Sequence, residues 1–86
     1  MFICKTFDYE ISEEDAVITH KHEFIKDAID DFKRMANRCI NQLARENIEV
    51  SVNFDGPVKT FDGFYAGVDI CDTECVIMFV SIMEEQ

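Results

Sequence analysis

An apolar stripe from about residue 20 to residue 46 constrains this 86-residue chain more than any other feature. Phe24, Ile25, Ala28, Ile29, Phe32, Met35, Ala36, Cys39, Ile40 and Leu43 recur at three- and four-residue steps. That spacing predicts one α-helix of about 26 residues and ~39 Å, apolar along one side. Thr19 is placed to cap its start, and Asn47 to end it in a left-handed conformation. Glu23, Asp27, Asp30 and Asp31 come early and Lys33, Arg34, Arg38 and Arg45 late, as the helix dipole favours. A helix with one apolar side must lay that side on another layer.

The rest of the chain supplies that layer. Residues 2–11 alternate, with Ile3, Phe7, Tyr9 and Ile11 on one side and Cys4, Thr6, Asp8 and Glu10 on the other, the mark of a half-buried strand. Residues 12–19 read two ways. Ser12 with Asp15 resembles a helix start, whereas Val17-Ile18-Thr19 suits a returning strand. Residues 48–54 alternate cleanly, with Ile48, Val50, Val52 and Phe54 on the side expected to be buried. Two Asp-Gly turns, Asp55-Gly56 and Asp62-Gly63, bracket a short extended piece at 58–61. Phe64, Ala66, Val68 and Ile70 mark the next strand, and a turn at 72–74 leads into 75–83, where only Ser81 is polar. The expected fold is therefore α+β, a two-layer sandwich in a single domain, residues 1–86. One long helix (about 20–46) lies on a mainly antiparallel sheet of four to five strands, in the order β, then β or short α, then α, β, β, β.

Two mismatches point towards association. The helix is longer than the ~26 Å spanned by strands of about eight residues, and the last strand offers apolar groups to both faces of a sheet that one helix can cover only once. The segment 12–19, a second copy or another partner is expected to cover the remainder.

Charge narrows the choice of partner. With 18 acidic and 8 basic residues the net charge is −10. Outside residues 20–47 there are thirteen acidic residues against Lys5 and Lys59. Direct nucleic-acid binding needs a basic footprint and is not expected; nor is binding to an anionic membrane. A basic protein surface is the natural complement. No apolar run reaches the ~18 residues of a membrane span, residues 1–5 lack the features of a secretory signal, and the four cysteines have no framework spacing. Free thiols in a reducing, cytoplasmic compartment are expected.

No motif assembles a nucleophile, base and acid, so no catalytic residue and no enzyme activity is expected. Cys71 and Cys75 flank the turn 72–74 and, with His20 and His22, make a weak zinc pattern. Packing explains the cysteines better, and no metal or cofactor is assigned. Both histidines fall at the expected helix start. The cluster Glu10, Glu13, Glu14 and Asp15 lacks the alternating ligands and glycine of a calcium loop.

What remains is a small acidic binding protein that inhibits or regulates a larger macromolecule by occupying a basic, nucleic-acid-binding type of surface. The residues expected at the partner are Glu13, Glu14, Asp15, Asp55, Asp62, Phe64, Tyr65, Asp69, Asp72 and Glu74, with Phe61, Phe64 or Tyr65 as apolar anchors. In general type, through no motif, such a chain resembles phage-encoded inhibitors of host defence such as anti-CRISPR proteins, DNA-mimic proteins, immunity proteins and antitoxins. No site is carried over from them. The alternatives are a homodimeric or larger structural or accessory subunit without mimicry, and a small zinc-binding domain.

Overall fold

Five antiparallel strands and one helix account for the regular structure in a computed structural model, which describes residues 1–58 and 60–85. Their order along the chain is β1 (Phe2–Asp8), β2 (Ile18–His22), α1 (Ile25–Arg45), β3 (Ser51–Asp55), β4 (Phe64–Cys71) and β5 (Val76–Glu84). In the sheet they lie as β2-β1-β5-β4-β3. This is the expected α+β arrangement of one helix on an antiparallel sheet. No helix among the described residues is long and apolar enough to cross a membrane.

The helix is shorter than its periodicity predicts, at 21 residues, or ~31 Å. It begins at Ile25, because His20-Lys21-His22 belongs to β2 and pairs with Cys4, Ile3 and Phe2. The two readings of 12–19 resolve into a turn followed by a strand. The Ser12 hydroxyl accepts hydrogen bonds from the backbone N–H of Glu14 (3.3 Å) and Asp15 (3.1 Å), closing the turn. Thr19 is thus a strand residue, and the N-cap position falls to Phe24, which has extended backbone and no side-chain cap. At the other end Asn47 does take the left-handed conformation, with φ of 60°.

The helix packs chiefly on β5, β1 and β2. Beneath it Cys4, Val68, Ile70, Val80 and Ile82 are fully excluded from solvent, as is Ala28 on its own underside. The phase of β1 is the reverse of the expectation. Cys4 and Thr6 face the helix, while Ile3 and Phe7 stay half-buried on the other face. The helix sits too close for large groups here, since the Cys4 thiol donates to the Ala28 carbonyl at 3.2 Å.

Two further expectations change at the far edge. β3 begins at Ser51, and it is exposed throughout, including Val52 and Phe54. It is the edge strand on the side away from the helix. The extended piece expected at 58–61 is not a strand at its described positions, and Lys59 lies outside the described residues. Both Asp-Gly turns place glycine at positive φ, 97° for Gly56 and 87° for Gly63.

Candidate functional site

The topology sends three connections to one end of the molecule: the β1–β2 loop, the α1–β3 loop and the β4–β5 turn. All three are acidic. They bring Glu10, Glu13, Glu14 and Asp15 together with Glu46, Glu49, Asp72 and Glu74. A cleft of about 520 Å³ opens between the first and third, lined by Tyr9, Glu10, Glu13, Asp72, Cys75, Val76 and Ile77. Asp69 lies close enough for its charge to act on Tyr9. Burial first, then that charge, raises the phenol's pKa.

The turn that holds this end is built by one of its own acids. The Asp72 carboxylate accepts from the backbone N–H of Glu74 at 2.8 Å and of Cys75 at 2.9 Å. The Cys75 bond and then the Glu74 bond lower its pKa, so it remains ionised.

Of the residues expected at a partner, Glu13, Glu14, Asp15, Asp69, Asp72 and Glu74 are therefore brought to one region. Asp55, Asp62, Phe64 and Tyr65 are not; they occupy the opposite end, around the β3–β4 connection. There Asp62 is engaged locally, accepting from the Thr60 hydroxyl and from the Phe64 N–H (3.1 Å). The Thr60 bond leads in lowering its pKa. A register shift between Phe64 and Ala66 separates the two aromatics. Tyr65 meets Phe2 edge-on with ring centroids 6.3 Å apart, while Phe64 approaches Gly67 on the face away from the helix. Phe61, also at this end, is 95% exposed.

That uncovered face is itself apolar at its centre. Phe7 and Phe79 stack with centroids 6.1 Å apart, with Ile3, Phe64 and Met83 on neighbouring positions of the register. Gly67 permits it, since a Cβ there would stand 2.8 Å from the Phe79 ring. The charges around the centre are divided. Lys5 and Lys21 lie on the β1–β2 side, Asp55 and Asp69 on the β3–β4 side.

A third feature lies under the helix. His20 and His22 both reach Asp31, which is 8% exposed. His20 Nδ1 lies 2.9 Å and His22 Nε2 2.6 Å from the same oxygen, Oδ2. Burial by itself would raise the Asp31 pKa, but the hydrogen bonds to His22 and His20 and their charges outweigh it and lower the value. Cys4 joins the group from β1. Burial, with the Asp31 charge second, pushes its thiol up to about 11. The sequence hid this cluster because its members span residues 4 to 31. The signal that could have found it is His-x-His on a strand, which puts both rings on one face. The pairing of those histidines with Cys71 and Cys75 does not form: the register sets Cys71 opposite Ser51 and Val76, on strands away from β2. All four cysteines are free thiols.

Comparison with protein-family models, with curated proteins and with solved structures gives no match.

Proposed function

We propose that this chain is a small acidic binding protein that inhibits or regulates a larger macromolecule by occupying a basic surface. The observation that carries the reading is the meeting of three acidic connections at one end of the sheet, around the cleft of Tyr9, Glu10, Glu13 and Asp72. Such a surface steers a cationic groove towards it and competes there with nucleic acid. In type this is the action of a DNA mimic or of an anti-CRISPR, immunity or antitoxin protein.

A pull-down from host lysate at low and high salt tests it. Capture of a basic partner should fall steeply as salt rises. It should be lost when Glu13, Glu14 and Asp15 are all changed to Lys, and kept in Asp62→Lys, which alters the opposite end. Capture that ignores both salt and the triple reversal would defeat the proposal.

A second reading, a homodimeric accessory subunit, is favoured by the divided charge on the uncovered sheet face. A two-fold axis parallel to the strands would set Lys5 and Lys21 of one copy against Asp55 and Asp69 of the other, closing a sandwich over the Phe7–Phe79 stack. Sedimentation at micromolar concentration separates the readings. A mass of twice 10.0 kDa that Phe79→Glu halves supports the dimer, and a wild-type monomer removes it.

A further inference from the structure

Three chain segments deliver metal-ligand chemistry to one point beneath the helix. His20 and His22 stand two residues apart on β2, Cys4 lies directly opposite His20 on β1, and Asp31 descends from the second turn of α1. The Cys4 Sγ, a ring nitrogen of His22 and a carboxylate oxygen of Asp31 all lie within 4.8 Å of one another. His20 Nδ1 is 2.9 Å from Asp31 Oδ2.

We propose that Cys4, His20, His22 and Asp31 form a binding site for one divalent transition metal of the zinc type. Thiolate, imidazole and carboxylate are the donors such a borderline ion selects. Tetrahedral bonds of about 2.0–2.3 Å place neighbouring donor atoms roughly 3.3–3.8 Å apart. Among Cys4, His22 and Asp31 the separations run from 2.6 Å up to the 4.8 Å limit and bracket that window. His20 stands outside that three-residue group, 2.9 Å from Asp31, and completes the shell by turning its partly exposed ring inward.

The hydrogen bonds already gather these donors. Two imidazoles converge on a single oxygen of a nearly buried carboxylate, which aims two nitrogens and an oxygen at one point. The fully buried Cys4 thiol stands inside the same group, donating to the Ala28 carbonyl at 3.2 Å. A dication in the centre engages all four side chains at once and neutralises the buried Asp31. On binding, the Cys4 S–H bond breaks, its proton leaves to solvent, and the sulfur's electron pair forms the metal bond, so affinity rises with pH. Four protein donors leave no open position, which makes the role structural: the ion ties β1 and β2 to α1. His20, whose side chain is 46% exposed, is the ligand on the path of entry.

Cobalt(II) is the probe. Titrating it into the purified protein should give one equivalent bound, with intense visible bands of tetrahedral coordination and a thiolate-to-cobalt band in the near ultraviolet. Zinc should bleach both and raise Tm. Cys4→Ser should abolish the thiolate band and Cys75→Ser, at an exposed thiol, should leave it. His20→Ala, at a partly exposed position, should weaken cobalt at least about tenfold while leaving the far-ultraviolet circular dichroism of the fold unchanged. The proposal is overturned if the wild-type protein gives no tetrahedral spectrum, if the thiolate band follows Cys75, or if His20→Ala binds cobalt as tightly as wild type.

Discussion

The same strands present two faces to different surroundings. Facing the helix, Val80 and Ile82 of β5 are at 0% exposure, as are Cys4 on β1 and Val68 and Ile70 on β4. One residue along, Phe79 and Met83 of β5 and Ile3 and Phe7 of β1 are only half-buried, although they are as large or larger and also apolar. Stability thus comes from a layer of modest aliphatic groups held under α1. The uncovered face carries aromatics of its own, Phe7, Phe64 and Phe79, where a ring is available to a partner as well as to the fold.

The largest effect should separate these faces directly. Ile82→Ala empties a fully buried site and should cost about 2–5 kcal/mol. Phe79→Ala, from a half-exposed stack, should cost roughly 1–1.5 kcal/mol, about half of the burial value for a large side chain. Urea midpoints of the two variants measure the difference. Equal losses would break the comparison and mean that the outer face is buried in solution. The Phe79→Ala loss should then grow with protein concentration, as linked self-association requires.

A pH series sharpens it on the covered side. The lowered Asp31 pKa means that the folded state holds this carboxylate charged more firmly than the unfolded chain does. Its contribution is complete above the unfolded value of about 3.9 and is lost as pH falls through the lower folded value. The stability gap between wild type and Asp31→Asn, read from urea midpoints, should therefore be open above about pH 4 and close as pH falls below it. A gap that does not change with pH would show that the His20–Asp31–His22 contacts act without the Asp31 charge.

How far the sequence could be read differs in the same way between regions. The helix, the Asp-Gly turns and the antiparallel meander were legible because each depends on local spacing or on a positive φ. Face assignment in β1 was not. Ile3, Phe7, Tyr9 and Ile11 outweigh Cys4 and Thr6 in apolar content, yet the close approach of Ala28 admits only small groups. The helix start was missed because the apolar stripe runs on through Phe24, while backbone pairing with β1 claims residues 18–22. Half of the acidic region was visible as composition. Its gathering at one end, and the exclusion of Asp55, Asp62, Phe64 and Tyr65 from it, depended on which loops the strand order brings together. The Cys4–His22–Asp31 group needed three elements in place before it existed at all.

The smallest expected effect concerns the residue where the two regions join, Phe24. It holds the N-cap position with the extended backbone that a capping residue requires (φ −113°, ψ 139°), and its carbonyl accepts the first helical bond from Ala28 N–H at 3.2 Å. Its side chain supplies no oxygen to the open N–H groups of the first turn, and it is 63% exposed, so little burial is lost on removing it. Phe24→Ser should place a hydroxyl against the N–H of Lys26 or Asp27 and stabilise the protein by about 1 kcal/mol, seen as a rise in the urea midpoint. If Phe24 instead helps to hold α1 on the sheet, the same change lowers the midpoint. In that case the helix is anchored by an apolar contact at its start, and the covered face extends further than the 0% exposed residues mark out.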